Sequence, residues 1–408
     1  MSIFYRLYCR VYQRIFKVAS YFLNFREPKL LEGLDVLPKF IKDKGFGSVL
    51  IVTDDFLHNK AKLIDGLKAG LKEQDINVMV YDKVVPNPTI SNIEEGVKCY
   101  NEGNCKAIIA VGGGSPMDCA KGIGARIARP NKSIPKMKGL LKVLKKIPTL
   151  FAIPTTSGTG SEATVTSVVS NETTHEKYPI NDTVLIPSYA VLDPKLTIGL
   201  PKHITSTTGM DALTHAVEAY IGSSNTKKTA EMARKAVVLI FENLKKAYDN
   251  GEDLTARKNM QLAAFYAGIA FTRAYVGNVH AIAHTLGGFY NAPHGDANAV
   301  ILPYILEYYG QKAYKKLAEL ADLVDIKGQT VEEKGKNFIL AIRGLNQSMN
   351  IPDNVNEIKA IEKAGGVKDQ DIPTMVERAF AEANPLYPVP KIMSKKDFTK
   401  MYYTIQKK

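Results

Sequence analysis

The sequence predicts a two-domain protein in which an α/β domain with a parallel, Rossmann-like sheet precedes an all-helical domain. Short β-branched segments alternate with amphipathic helical segments between residues 48 and 195, a pattern typical of βαβ units. After about residue 196, long helical patterns replace the strand-like segments. We therefore predict an N-terminal amphipathic helical extension over 1–27, an α/β dinucleotide-binding domain over 28–195 and a helical metal-binding domain over 196–408.

The elements of the α/β domain follow one another in a regular order. Strands are predicted at SVLIVTD, NVMVYD, AIIAVGGGS, LFAIPTT and YAVLD. Helices are predicted at AKLIDGLKAGLKEQ, SNIEEGVKCYNEG and PMDCAKGIGARIA. Strands this short, separated by helices, predict a parallel sheet covered by helices on both faces. The helical domain begins with MDALTHAVEAYI and continues through AEMARKAVVLIFENLKKAY, RKNMQLAAFYAGIAF and KAYKKLAELADLV.

The composition is that of an ordinary globular protein. Hydrophobic residues make up 45% of the 408 positions and charged residues 23%, which is enough for a large packed core. The four cysteines show no paired spacing, and this favours a reducing, cytoplasmic compartment. The net charge of +13 is spread along the chain without a recognisable nucleic-acid-binding module, so we expect no nucleic-acid partner.

The N-terminal segment has the pattern of an amphipathic helix. Its apolar residues recur at helical spacing, with basic residues on another side: Ile3, Leu7, Val11, Ile15, Val18 and Phe22, against Arg6, Arg10, Arg14 and Lys17. A basic residue in every turn excludes a secretory signal and a membrane span. The helix either docks on the protein or lies on an acidic membrane surface. We expect docking through the apolar stripe.

A glycine-rich turn lies within IIAVGGGSPMDCAK, after the third predicted strand. Glycine allows close backbone approach, and a helix N-terminus attracts phosphate. We expect Ser115 to cap the helix, with Pro116 at its first position. The turn departs from the GxGxxG fingerprint because Met117 replaces the third glycine, so a purely structural strand-to-helix turn is the alternative. A second segment, IPTTSGTGSEAT, offers hydroxyls and glycines to a nucleotide.

Histidines are concentrated in two segments of the helical half. Asp211 and His215 are four residues apart, and His280 and His284 repeat that spacing, with His294 following soon after. Side chains four residues apart share a helix face. A carboxylate with several imidazoles is suited to a divalent transition ion. Spacing alone leaves open whether His280 or His284 ligates. The glutamate of an HExxH protease motif is absent, since Ala281 occupies its place.

Together these segments resemble the iron-dependent, group III alcohol dehydrogenase family over roughly residues 28–400. The matching motifs are VVPNPT, GGGSPMDCAK, PTTSGTGSE, GMDALTHAVEAY, VHAIAHTLGGFYNAPHG and NAVILPYIL. The resemblance implies a dehydroquinate synthase-like fold. It also implies a metal-dependent, NAD(H)-linked alcohol dehydrogenase or aldehyde reductase that acts on small primary alcohols or diols. A homodimer is the oligomer typical of similar proteins.

The resemblance assigns site residues. The implied metal ligands are Asp211, His215, His280 and His294, which hold Fe²⁺ or alternatively Zn²⁺. His284 resembles the free histidine that orients the substrate or relays a proton. The implied pyrophosphate site comprises Gly113, Gly114 and Ser115, with Asp118 nearby. The remaining residues implied at the cofactor are Thr155, Thr156, Thr159, Lys177 and Asn87.

Asp54, at the end of the first predicted strand, resembles the carboxylate that selects NAD over NADP. A carboxylate accepts hydrogen bonds from the ribose 2′-hydroxyl and repels a 2′-phosphate. Asp82, after the next strand, is the rival for this role, and capping of the following helix is the alternative role of Asp54.

Two segments depart from the family pattern. The N-terminal helix lies outside it, and Arg273 and Tyr275 occupy positions where smaller residues are expected. We expect the second departure to alter the substrate pocket. Alternative functions are a polyol oxidoreductase resembling glycerol dehydrogenases and a lyase resembling dehydroquinate synthase. The resemblance favours neither, because those relatives hold their metal with fewer histidines.

Overall fold

The computed structural model describes residues 1–174 and 176–407, which divide into two compact units. Asn24–Gly199 forms the α/β unit. The helical unit combines Met1–Leu23 with the chain from Leu200 onwards, so the N-terminal helix α1, Ile3–Ser20, belongs to it. The predicted fold class is confirmed.

The α/β unit is built on a six-stranded parallel sheet. The strands of the unit are β1 Lys29–Glu32, β2 Ser48–Val52, β3 Asn77–Tyr81, β4 Ala107–Gly112, β5 Gly139–Leu140, β6 Thr149–Pro154, β7 Thr166–Asn171, β8 Glu176–Asn181 and β9 Tyr189–Leu192. The helices are α2 Leu37–Asp43, α3 Asp65–Glu73, α4 Ile90–Glu102 and α5 Gly114–Ala128. The order in the large sheet is β1-β9-β6-β4-β2-β3, and β5, β8 and β7 form a small second sheet.

Both faces of the large sheet are buried. Along β2, Val49 and Ile51 belong to one apolar core, whereas Leu50 and Val52 belong to the other. This alternation follows from the two-residue period of a strand. Continuous burial on both faces explains why the parallel strands are uniformly apolar.

The chain order reverses between β2 and β4. From β2 the chain continues outward to β3 on one side, and then crosses to β4, β6 and β9 on the other. At such a switch point the carboxyl ends of neighbouring parallel strands leave a crevice in which ligands bind. The segments that follow β2, β4 and β6 all begin at this edge.

Strand β1, the short helix α2 and the small second sheet were not predicted from the sequence. Strand β1 is a four-residue edge strand with mostly exposed residues, and the small sheet includes the polar segment EKYPIN. Neither carries the apolar signal of a buried strand. Because β1 was missed, the glycine turn follows the fourth strand of the chain and not the third.

The helical unit surrounds one central, buried helix. Its helices after α1 are α6 Lys202–Ile221, α7 Lys227–Asp249, α8 Leu254–Ala274, α9 Asn278–Tyr290, α10 His294–Tyr309, α11 Gln311–Leu323, α12 Val331–Ser348, α13 Lys359–Lys363, α14 Ile372–Ala383 and α15 Lys395–Ile405. Helix α6 is buried on all sides from Gly209 to Ile221, as expected for a helix without a polar face. Polar side chains on α6 therefore need partners inside the protein.

Helix α1 docks on the helical unit, but through the face opposite to the one we expected. The Arg10 guanidinium donates to the carbonyls of Val389 and Pro390, and the buried Gln13 donates to those of Pro385 and Tyr387. The apolar stripe is exposed along its whole length. The expectation was wrong because distant carbonyl groups provide hydrogen-bond acceptors for the polar face.

The N-terminal segment and the bulky residues at 273 and 275, which both depart from the family pattern, pack against each other. The ring of Tyr275 contacts that of Phe16 edge-on, with 5.3 Å between centroids, and the Arg273 guanidinium lies 4.6 Å from the ring centre of Tyr21. The bulky residues at 273 and 275 thus contact the N-terminal segment.

Within the described residues, no helix has both the length and the apolar character needed to cross a bilayer.

Candidate functional site

A cluster of four potential metal ligands comes from three helices of the helical unit. Asp211 and His215 lie one turn apart on α6, His280 lies on α9, and His294 is the first residue of α10. One ligand atom from each side chain lies within 4.8 Å of those of the other three. The first three residues are buried and His294 is exposed, so the cluster is open on the His294 side.

Glu218 orients one of these histidines. Its carboxylate accepts hydrogen bonds from the backbone N–H groups of Gly277 at 2.7 Å and Val279 at 2.9 Å. It also accepts one from Nδ1 of His280 at 2.6 Å. A histidine held through Nδ1 presents Nε2 to a ligand. Burial lowers the pKa of His280 well below its ordinary value, and the neighbouring imidazoles lower it further, so His280 is neutral, as ligation requires.

Acceptor atoms of three of the four residues, Asp211, His280 and His294, converge on one point. The amide nitrogen of the fully buried Asn298 lies 2.7 Å from Oδ1 of Asp211 and 3.0 Å from Nε2 of His294. It also lies 3.3 Å from Nε2 of His280. One donor atom within reach of three acceptors means that these acceptors point inward together. The donor set and its convergence therefore fit a divalent transition ion.

His284 lies beside this cluster and not within it. Its ring centroid is 5.2 Å from that of His294 and 5.9 Å from that of His280. Nδ1 of His284 donates to Oε1 of Glu382 at 2.7 Å, and the Tyr387 hydroxyl donates to the same oxygen at 2.7 Å. Of the two histidines that spacing could not separate, the structure therefore brings His280 into the cluster.

The glycine turn lies at the carboxyl end of β4, at the switch point of the sheet. Gly112 has a φ of 149°, and a Cβ there would lie 2.5 Å from Cγ of Pro116, so the turn requires glycine. Helix α5 begins at Gly114, and Gly113 is its N-cap. Ser115 and Pro116 are the second and third residues of the helix, so the expectation that Ser115 caps it and that Pro116 comes first was wrong.

The threonines of the second segment face the glycine turn. Thr155 donates its backbone N–H to the carbonyl of Gly112 at 3.0 Å. A Cβ at Gly113 would lie 3.4 Å from Oγ1 of Thr156, and one at Gly114 would lie 3.2 Å from Cγ2 of Thr159. Three glycines in a row thus leave backbone N–H groups open beside hydroxyl groups, a concave arrangement that suits a phosphate.

Three of the predicted cofactor residues form a hydrogen-bonded chain. The Asn87 backbone N–H donates to Oγ of Ser115 at 3.2 Å, and Nζ of Lys177 donates to Oδ1 of Asn87 at 2.6 Å. Asn87 has a φ of 57°, which asparagine tolerates better than most residues. The loop after β3 and strand β8 are thereby tied to the helix that follows the glycine turn.

A buried lysine on α5 connects this helix to the segment that follows β6. Nζ of Lys121, which is fully buried, donates to the hydroxyls of Ser161 and Thr164 and to the carbonyl of Thr166, at 2.9 to 3.0 Å. Ser161 in turn donates to Oδ1 of Asp118 at 3.2 Å. Burial lowers the pKa of Lys121 to about 8 and raises that of Asp118 to about 6. Asp118 thus belongs to the same buried hydrogen-bond network as Lys121 and Ser161.

The two candidate carboxylates for nucleotide selection differ in their partners. Oδ1 of Asp54 accepts the backbone N–H of Leu57 at 2.9 Å and so stabilises the short π-helix Phe56–Lys60. Oδ2 of Asp82 is hydrogen-bonded to His58 at 2.7 Å and to Asn59 at 3.2 Å. Asp54 follows β2, the strand beside β4 at the switch point.

Several residues of the site were missed by the sequence analysis. They hold other residues in place and do not follow the regular spacing of metal ligands: Glu218, Asn298, Glu382 and Lys121. A signal existed for one of them, because Glu218 follows His215 by three residues on a helix that carries Asp211. Glu382 lies 98 positions from its partner His284, and local sequence gives no indication of such a contact.

Comparison with known proteins identifies the family. Residues 32–194 match the family described as iron-containing alcohol dehydrogenase. Residues 205–405 match the C-terminal part of the Fe-containing alcohol dehydrogenase family. The first match contains the glycine turn with its threonines, and the second contains the four potential metal ligands.

Individual proteins agree with this assignment. Alcohol dehydrogenase 4 of Saccharomyces cerevisiae is 40% identical over 353 residues, covering 86% of this chain and 89% of the yeast protein. 1,3-Propanediol dehydrogenase of Klebsiella pneumoniae is 39% identical over 343 residues, covering 83% and 87%. The solved alcohol dehydrogenase from Oenococcus oeni superposes with a TM-score of 0.88 at 34% identity, covering 94% of this chain and 100% of that one. The chain belongs to the iron-containing alcohol dehydrogenase family and is an oxidoreductase that interconverts alcohols and aldehydes.

Proposed function

We propose that this chain is an NAD(H)-linked dehydrogenase of small primary alcohols or diols that works with one divalent ion. The ion would be held by Asp211, His215, His280 and His294. The observation that carries the proposal is the convergence of four ligand atoms within 4.8 Å of one another. The exposed position of His294 supports an opening through which a small substrate reaches the ion.

The proposed ion is Fe²⁺, with Zn²⁺ as the alternative. The family description supports iron, and one carboxylate with three neutral imidazoles accepts either ion. The Glu218 contact to His280 supports a site prepared for metal, since a carboxylate that holds one ring nitrogen of a histidine fixes the direction of the other nitrogen toward the metal.

The proposed nucleotide is NAD(H), with NADP(H) disfavoured. Its pyrophosphate would bind at the glycine turn, against the N–H groups of Gly113, Gly114 and Ser115 and the hydroxyls of Thr156 and Thr159. Asn87, Thr155 and Lys177 would contact the rest of the nucleotide. Asp54, at the end of β2, would accept the hydroxyls of the adenosine ribose and repel a 2′-phosphate.

The protein's own residues would manage substrate orientation and the proton. When bound, the divalent ion supplies Lewis acidity, and the nicotinamide supplies the hydride acceptor or donor. His284 would accept the hydroxyl proton of the alcohol at Nε2 and release it to water, because its Nδ1 is committed to Glu382. Tyr387 donates to the same carboxylate oxygen and so keeps Glu382 in place.

The substrate class is proposed from the relatives and from the site. 1,3-Propanediol dehydrogenase and alcohol dehydrogenase 4 are the names of similar proteins, which supports small alcohols, including diols. The bulky side chains of Arg273 and Tyr275 contact the N-terminal segment, so they do not by themselves argue for an altered substrate pocket.

The test is anaerobic purification, metal analysis and an NADH-linked screen of aldehydes and alcohols. We expect about one iron per chain, NADH consumption with short aldehydes and NAD⁺ reduction with short primary alcohols or 1,3-diols. Turnover without net consumption of NADH would contradict the proposal and favour the lyase alternative. Activity confined to glycerol-like polyols with zinc would favour the polyol oxidoreductase.

We further propose a cytoplasmic homodimer. No disulfide bond joins any of the four cysteines, Cys9, Cys99, Cys105 and Cys119. This suits a reducing compartment. Cell fractionation checks the location, and light scattering coupled to size exclusion checks the oligomer. A monomer, or a protein recovered outside the cytoplasmic side of the cell, would contradict this proposal.

A further inference from the structure

Helix α1 and the turn after it present an apolar stripe to solvent. The stripe consists of side chains that are 46% to 85% exposed: Ile3, Leu7, Val11, Ile15, Val18 and Phe22. Phe4, beside it, is 80% exposed. Surface helices normally bury such a stripe, and a contiguous exposed apolar patch marks an interaction site.

The helix is fixed in this orientation by its other face. Cys9, Gln13 and Ser20 are buried against the helical unit, and Nζ of Lys17 donates to the carbonyl of Ser223 at 3.0 Å. Arg10 and Gln13 together satisfy four carbonyl groups of residues 385–390. Rotating the stripe inward would remove the side-chain donors of Arg10 and Gln13 from these carbonyls, at a cost for each hydrogen bond that is lost.

The charge next to the stripe is entirely positive. Arg6, Arg10, Arg14 and Lys17 follow one side of the helix at helical spacing, and α1 contains no Asp or Glu. Arg6 and Arg14 are exposed. An outward apolar stripe edged by arginines is the surface that binds acidic lipid headgroups while apolar side chains enter the interface.

We propose that α1 anchors this protein to a bilayer surface that carries acidic lipids. The apolar stripe enters the headgroup region, and Arg6 and Arg14 pair with lipid phosphates or carboxylates. A second copy of the chain fits this surface less well, because two α1 helices would bring arginines together with no acidic residue on either helix. The family matches begin at residue 32, so α1 lies outside the matched residues, and its proposed role does not depend on the proposed substrate.

The test is sedimentation of the full chain with vesicles of phosphatidylcholine, with and without phosphatidylserine. We expect binding to the phosphatidylserine vesicles that weakens as salt is raised. The variant Leu7→Gln/Ile15→Gln/Phe22→Gln should lower the partition coefficient by about tenfold or more, since three large apolar groups no longer leave water. Arg6→Gln/Arg14→Gln should lower it by about fivefold per residue on acidic vesicles only.

A matched control is available elsewhere on the surface. Leu144, Val331 and Leu340 are 62%, 54% and 60% exposed, and changing all three to Gln should leave vesicle binding unchanged. Circular dichroism and nucleotide binding check that each variant is folded. If the α1 variant does not fold, the proposal is tested by three other measurements. These are vesicle binding of the wild type, the salt dependence of that binding, and binding of the arginine variant.

Three results would overturn the proposal. The wild type could fail to sediment with acidic vesicles. The folded α1 variant could sediment as well as the wild type does. Light scattering without lipid could show an assembly that the α1 variant abolishes, which would make a second copy the occupant of the stripe.

Discussion

Glu218 and His280 are joined by a hydrogen bond of 2.6 Å between Oε2 and Nδ1. Glu218 lies on α6, the helix that also carries Asp211 and His215, whereas His280 lies on α9. The same carboxylate accepts N–H groups at the start of α9. One buried side chain therefore sets both the position of α9 and the orientation of the imidazole that faces the ligand cluster.

Replacement of Glu218 tests this arrangement. Glu218→Gln replaces one acceptor oxygen by an NH₂ group, which faces the donors of residues 277–280 and disturbs the His280 ring. We expect metal affinity to fall by about ten- to a hundredfold, measured by titration of the apoprotein with Zn²⁺ or Co²⁺. Glu231→Gln changes an exposed glutamate paired with Lys235 and should leave affinity unchanged. Equal affinities in the two variants would contradict the positioning role.

Replacement of His284 tests its separation from the ligand cluster. In His284→Ala we expect the metal content to persist and kcat to fall by about a hundredfold, the usual size of a lost acid–base group. KM should change little. His203→Ala, an exposed histidine on α6, serves as the control. Loss of metal in His284→Ala, measured by elemental analysis, would instead make His284 a ligand.

Replacement of Asp54 tests nucleotide selection. Asp54→Ser removes the negative charge at the end of β2, so the ratio of kcat/KM for NADP over NAD should rise by roughly ten- to a hundredfold. Asp82→Ser is the comparison, because the Asp82 carboxylate is already bonded to His58 and Asn59. A change in the ratio for Asp82→Ser but not for Asp54→Ser would reverse the assignment.

Replacement of Lys121 tests the contribution of its buried hydrogen bonds to stability. In Lys121→Met, the hydroxyls of Ser161 and Thr164 and the carbonyl of Thr166 lose their donor. The free energy of unfolding should fall by about 3 kcal/mol in urea denaturation. Lys106→Met, at an exposed position of the same unit, should change it by less than about 0.5 kcal/mol.

The pH dependence of stability provides a second measure of this lysine. The folded-state pKa of Lys121 is lowered to about 8 from 10.5. Between these values the unfolded chain holds a proton that the folded chain has lost, so wild-type stability gains a contribution as pH rises through this window. Lys121→Met should lack that contribution. Parallel pH profiles for the wild type and the variant would contradict the lowered pKa.

Much of the fold was accessible from the sequence because its signals are local. Apolar runs of four to seven residues predicted strands β2, β3, β4, β6 and β9. Helical periodicity predicted α1, α6, α7, α8 and α11, but not α10 or α12. The glycine turn was predicted correctly as a strand-to-helix connection, and the positive φ and close contact at Gly112 restrict that position to glycine. Strand β1 and the small sheet escaped because edge and polar strands lack a periodic apolar signal.

The metal cluster shows where local information ends. The sequence named the residue types and two of their spacings, because ligands one turn apart share a helix face. It could not separate His280 from His284, which have equivalent spacing along α9. Only the packing of α9 against α6, held by Glu218, turns His280 toward Asp211 and leaves His284 beside Glu382.

Helix α1 shows most clearly what the sequence determines and what only the tertiary structure determines. Its sequence alone determined that one face is apolar and another is basic, because side-chain order fixes both faces of a helix. Which face meets the protein was decided by carbonyl groups of residues 385–390, more than 370 positions away. Periodicity describes the two faces of an element, whereas tertiary structure selects the partner, because hydrogen-bond acceptors distant in sequence come together only in the folded chain.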